Sequence, residues 1–130
     1  MANITIVNTK ITALNAIQVL TQTAADEGGA GVAQKFIYTP TGKDNKICFV
    51  FYNKVAFGIT ATIAAGAGVF GKAANALTIP ATALATTVVQ IETGPYMLAN
   101  GTIEISFDPA NDAKILTADH ALTVGVIELQ

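Results

Sequence analysis

Arginine and tryptophan do not occur in this sequence of 130 residues, cysteine and histidine occur once each, and charged side chains make up only 12%. Each shortage removes a class of function. Without arginine, and with a formal net charge of -2, the chain has no basic footprint to neutralise phosphates, so neither nucleic acid nor an anionic membrane is expected as a partner. A zinc site takes three or four nitrogen, sulfur or carboxylate ligands, and beyond its carboxylates the chain offers only Cys48 and His120. No metal and no cofactor is expected. A lone cysteine also rules out an intrachain disulfide. Its neighbours Ile47, Phe49, Val50 and Phe51 read as the middle of a buried strand, so Cys48 is expected to be a small core residue in a chain folded in a reducing cytoplasm.

Two further absences concern export and membranes. No basic residue precedes the short apolar stretch at the N-terminus, and no small-residue cleavage pattern follows it, so no secretion signal is expected. The uncharged run 55–71 only reaches the lower limit of the roughly 17–25 residues that span a bilayer. Four glycines interrupt it, and Ile59, Ala61 and Ile63 alternate with Thr60, Thr62 and Ala64 as in a strand.

What is present is an apolar chain, 52% hydrophobic, with mean hydropathy +0.50 and a pI near 5.1. A typical soluble domain carries about 25% charged residues. Here Thr, Ala, Asn, Gln and Gly must cover most of the surface, and such a surface is desolvated without stranding charges. It suits a protein whose exterior is covered by neighbours more than a freely diffusing enzyme.

Period-two alternation recurs along the chain, with turn residues at short intervals, as in a sandwich or barrel. Strands are predicted over 4–7, 34–39, 46–53, 57–64, 76–79, 86–92, 96–99, 102–107, 113–117 and 122–129. Asn100-Gly101 predicts a two-residue type I′ hairpin. Residues 40–45 form a polar turn, and Asp108-Pro109 ends a strand. Leu14, Ile17, Leu20 and Ala24 recur at helical spacing over 12–25, but Asp26 and Glu27 have the wrong sign for a helix C-terminus, and Thr21 and Thr23 favour strand. Helix and strand both stay open there. Asp26 to Gly31, acidic and glycine-rich, reads as a surface connector. The whole is an all-β, antiparallel β-sandwich or jelly-roll-like domain over residues 1–130, in which an extended arm or loop region over 1–30 is an option.

Several motifs invite a catalytic reading. Gly66-Ala67-Gly68-Val69-Phe70-Gly71-Lys72-Ala73 matches the spacing of a dinucleotide loop and most of a phosphate loop. Both require a strand before and a helix after, and Pro80 and the strand-like Leu77-Thr78-Ile79 leave no room for that helix. Ala73 also replaces the hydroxyl that would bind magnesium. Ser106, His120 and one of Asp108, Asp112 or Asp119 are the only residues from which a serine triad can be drawn. Yet Ser106 alternates outward with Thr102 and Glu104 against Ile103, Ile105 and Phe107, and no nucleophile-elbow sequence surrounds it. A paired-carboxylate glycosidase needs an aromatic-lined groove, and the acids here fall mostly in turns. No catalytic residue is assigned.

Over 46–129 the order of phrases is distinctive. Ile47-Cys48-Phe49-Val50-Phe51-Tyr52-Asn53 leads to Ile59-Thr60-Ala61-Thr62-Ile63-Ala64-Ala65-Gly66; then come Leu77-Thr78-Ile79-Pro80-Ala81, Val88-Val89-Gln90-Ile91-Glu92-Thr93-Gly94, and a closing Val124-Gly125-Val126-Ile127-Glu128-Leu129. This resembles the small head-decoration, or auxiliary capsid, proteins of tailed bacteriophages infecting Gram-positive bacteria. It departs from them at Ala64-Ala65, where such proteins often carry a basic residue. The resemblance implies a non-enzymatic virion structural protein that is assembled in the host cytoplasm, sits on the outer capsid surface and stabilises the head. Its implied partners are the major capsid protein and copies of itself, a trimer among the options. A tail or baseplate subunit fits the same residues. So does a carbohydrate- or receptor-binding module, which would display Tyr38, Tyr52 or Tyr96; their strand context places these in the core or at its rim.

Overall fold

A computed structural model describes residues 4–10, 19–24, 34–41, 46–54, 56–67, 75–109 and 122–128. The described residues form two sheets packed face to face, an all-β sandwich. The strands are β1 (Ile4–Thr5), β2 (Asn8–Lys10), β3 (Gln22–Ala24), β4 (Gln34–Tyr38), β5 (Lys46–Asn53), β6 (Ile59–Ile63), β7 (Leu77–Ala81), β8 (Thr86–Glu92), β9 (Ile103–Pro109) and β10 (Leu122–Glu128). One sheet runs β1-β4-β9-β6-β7, and the other runs β2-β10-β5-β8 with β3 also paired to β10.

Most pairings are antiparallel, but each sheet carries one parallel pair, β1 with β4 and β2 with β10. Both come from one short stretch of chain. Ile6 is buried, and its N–H donates to Ile37 O at 2.9 Å, so the N-terminal segment leaves the first sheet there and enters the second two residues later. Of the segment left open between helix and strand, 22–24 pair with β10 as a strand, and 12–18 lie outside the described residues.

Alternation explains which side chains meet. In β5, Ile47, Phe49, Phe51 and Asn53 are fully buried, while Lys46, Cys48, Val50 and Tyr52 face outward. Cys48 is therefore half-buried on the outer face and not in the core: the strand placement holds, but the phase that buries two phenylalanines turns the thiol away. In β9, Ile103, Ile105 and Phe107 are buried against half-exposed Glu104 and Ser106, as their alternation predicts.

Five aromatic rings join the layers. Phe36 of β4 meets Phe107 of β9 edge-on at 5.4 Å between centroids, and Phe107 meets Phe51 across the interior at 5.0 Å. Phe51 stacks on Phe49 at 6.0 Å, and Phe49 meets Tyr38 of β4, also at 6.0 Å. The chain of rings thus crosses between the sheets twice.

Polar groups close both ends of the interior. Beside Ile47, at one end of β5, the inward carboxyl of Glu128 accepts hydrogen bonds from the Tyr38 hydroxyl (2.9 Å) and from Thr41 Oγ1. At the other end Asn53 donates through Nδ2 to Phe57 O (2.9 Å) and Ala81 O (3.2 Å). Its backbone N–H also donates to Ala85 O, so one asparagine ties the end of β5 to the β5–β6 and β7–β8 connections.

Two local predictions are corrected. Residues 96–99 are not a strand: Gly94–Tyr96 form a 3-10 turn with Pro95 in its first turn, since proline presets a turn φ and cannot donate to a ladder. The Asn100-Gly101 connection is not a two-residue type I′ turn. Leu98 N–H donates to Thr102 O and Gly101 N–H to Leu98 O, giving a three-residue loop in which Gly101 alone takes positive φ, at +82°. Asn100 keeps negative φ because its Oδ1 accepts from the Thr102 N–H (3.2 Å) and hydroxyl (2.7 Å). The strand predicted over 113–117 lies outside the described residues.

Candidate assembly surface

The glycine motif is where a nucleotide site would stand, and of it Gly66 and Ala67 lie within the described residues. Its flanking strands, β6 and β7, are antiparallel neighbours, whereas dinucleotide and phosphate loops join a strand to a helix that crosses to a parallel strand. Gly66 is buried, and its N–H donates to Pro95 O at 3.0 Å, followed by Ala67 N–H to Met97 O at 3.0 Å. A Cβ on Gly66 would lie 2.5 Å from Pro95 O and 2.8 Å from Met97 O, both backbone atoms. Gly66 is therefore required for close backbone approach. Gly66→Ala is expected to break this pairing and destabilise the fold by about 1–3 kcal/mol, measured by urea denaturation; an unchanged midpoint would contradict the contact. Lys72 lies outside the described residues.

The triad candidates are likewise not assembled among the described residues. Ser106 sits in the middle of β9 between Lys35 of β4 and Thr62 of β6, and Asp108 lies two residues further along the same strand face. His120, Asp112 and Asp119 lie outside the described residues. Among the described residues no group of three or more His, Cys, Asp or Glu side chains is placed to hold a metal ion. No helix among them is long and apolar enough to cross a membrane.

The surface that stands out is the outer face of the second sheet. Register places Ile127, Cys48 and Gln90 in one cross-strand row, Gly125, Val50 and Val88 in the next, and Thr123, Tyr52 and Thr86 in a third. No charge falls in these rows. Lys46 opposite Glu92 bounds them at one end, and Lys54 bounds them at the other, its Nζ 5.9 Å from the centre of the Tyr52 ring. Leu20 packs over Gly125, where an added Cβ would come within 2.9 Å of its Cδ1.

Exposed apolar side chains gather around this face. Val88 is 62% exposed in β8, and Leu84 is 65% exposed at the corner leading into it. Leu84 also holds φ at +54°, a left-handed conformation that disfavours a branched side chain, so this corner combines strain with a solvent-facing apolar group. Val19, next to Leu20, is exposed as well. By contrast, the outward face of the first sheet carries the Lys35–Glu104 ion pair between β4 and β9 at 3.2 Å, an ordinary solvated arrangement. Of the three tyrosines, Tyr38 is fully buried, Tyr96 is half-buried in the 3-10 turn, and Tyr52 faces outward.

In comparisons with known proteins, no family model, no curated protein and no solved structure matches the chain.

Proposed function

We propose that this chain is a non-enzymatic structural protein of a phage virion, a decoration protein that binds the outside of the head and stabilises it. The observation that carries the reading is the uncharged outer face of β5 and β8, where Cys48, Val50, Tyr52, Thr86, Val88 and Gln90 can be covered without stranding an ion, beside Thr123 and Gly125 of β10, which are already buried. The resemblance of 46–129 to head-decoration proteins supports the same reading. The major capsid protein is the proposed partner. Burial of this uncharged polar and apolar surface across capsomer joints, repeated over many identical sites, would sum modest contacts into strong retention through avidity.

The test is the particle itself. Purified virions should contain the chain at a fixed ratio to the major capsid protein, and electron microscopy should place it on the outer shell. Heads lacking it should lose their genome at lower temperature, and added protein should restore them. A copy number matching tail or baseplate rings would reassign it within the virion, and absence from particles would end the virion reading.

A further inference from the structure

Among the described residues five strands lie at the outer edges of the two sheets, and four of them are poor templates for pairing. β1 is two residues long, and the far side of β10 is shared by β2 and β3, three residues each. β7 carries Pro80, which has no N–H to offer. β8 differs on every count. It runs seven residues, Thr86–Glu92, without proline, glycine or lysine, and five of the seven are β-branched. Short length, proline and lysine are the usual devices that blunt an edge, and β8 has none of them.

The hydrogen-bond phase shows which groups are available. Asn53 N–H donates to Ala85 O, so the odd-numbered residues of β8 turn their backbone groups toward β5. The N–H and C=O groups of Thr86, Val88, Gln90 and Glu92 therefore point away from the sheet. Among the described residues no strand pairs with that side. The side chains of these same four residues are exposed.

We propose that β8 is a self-complementary edge, and that two copies of this chain pair antiparallel along it about a two-fold axis through Val89. That register sets Thr86 opposite Glu92 and Val88 opposite Gln90 of the second copy, and the reverse. Every outward backbone group is then used, in about eight hydrogen bonds. On the inner face Val89 meets its own copy, extending the core across the axis. The second sheets of the two copies become one continuous sheet.

Charge favours this register. Glu92 and Lys54 make no ion pair with another described residue. In the dimer Glu92 of one copy stands opposite Thr86 of the other, which pairs with Tyr52, the ring under the Lys54 ammonium. Two strand spacings, about 10 Å, separate the Glu92 and Tyr52 backbones, within the combined reach of the glutamate and lysine side chains. The contact occurs twice by symmetry. Sliding the strands toward their C-terminal ends instead brings the two Glu92 carboxylates together. The inference concerns the isolated chain and does not depend on the virion reading.

The decisive variant is Val88→Pro. In the single chain the Val88 N–H faces away from β5, so its loss breaks no bond of the fold, whereas in the dimer it removes donors on both sides of the axis. Sedimentation equilibrium of the purified wild-type chain should show a monomer–dimer equilibrium, and Val88→Pro should weaken it at least about thirtyfold with the circular dichroism of the fold retained. Hydrogen exchange gives a readout that needs no variant. In concentrated wild-type protein the Val88 and Gln90 amides should be protected and should lose that protection on dilution, while Thr87 and Val89 stay protected throughout. A chain monomeric at all concentrations would overturn the proposal. So would a dimer whose Val88 and Gln90 amides exchange freely, or protection of these amides only when a capsid protein is added.

Discussion

Phe107→Ala should cost the protein about 3–5 kcal/mol, the largest loss expected from any single substitution in the interior. Phe107 makes the shorter of the two ring contacts between the sheets: it is fully buried on β9, touches Phe36 within its own sheet, and reaches Phe51 of β5 across the interior at 5.0 Å. Truncation removes two edge-on ring contacts, each worth about 0.5–1.5 kcal/mol beyond burial, and leaves a cavity that two hydrogen-bonded sheets cannot collapse to fill. A domain of this size has about 5–15 kcal/mol in total, so the variant should unfold well below the wild-type temperature. Phe107→Leu keeps most of the volume and should lose clearly less. Denaturant midpoints of the three proteins measure this directly. A loss below about 1 kcal/mol for Phe107→Ala would mean that the sheets are not joined through this ring.

The parts of the fold that were legible in the sequence are those where alternation runs long enough to fix a phase. β5 and β8 have the predicted bounds, because Ile47, Phe49 and Phe51 in one and Val89 and Ile91 in the other mark a buried side. The same phase carried information that the type of residue obscured. Asn53 is in step with Ile47, Phe49 and Phe51, and Glu128 is in step with Val124 and Val126, so both point inward. Both are polar, and they close the two ends of the core. Cys48 is the converse, an apolar residue in the outward phase. The parallel pairings of β1 and β2 were not legible, because strands of two and three residues have no period, and the switch at Ile6 rests on a single hydrogen bond to a distant strand. Nor did the sequence show which strand would be an edge. Val88 and Val89 are apolar in both phases, so β8 reads like a buried strand until its neighbours are known.

The candidate surface is legible in the same partial way. The scarcity of charge predicted a surface suited to being covered, but not which one, because that depends on register. Cys48, Val50 and Tyr52 become a contiguous face only when β8 and β10 set Val88, Gly125 and Ile127 beside them. Composition therefore points to assembly, and topology locates the face and the edge through which assembly is proposed to occur.

Above about pH 10 the wild-type protein should lose stability faster than Tyr38→Phe does. In the folded chain burial, and after it the hydrogen bond to Glu128 and the charge on that side chain, hold the Tyr38 phenol well above its ordinary value of 10.0. The unfolded chain releases that proton near pH 10, while the folded chain keeps it. The contribution is therefore complete below pH 10 and declines above it by about 1.4 kcal/mol per pH unit, toward the raised folded value. Tyr38→Phe has no proton to release and lacks this component. At neutral pH the variant starts lower, by about 1–3 kcal/mol, because a buried carboxyl group has lost one of its donors. Denaturation curves at several pH values should then show the two proteins converging as pH rises from 10. Parallel loss in both would mean that the Tyr38 hydroxyl is reached by solvent in the folded state and does not close this end of the core against Glu128.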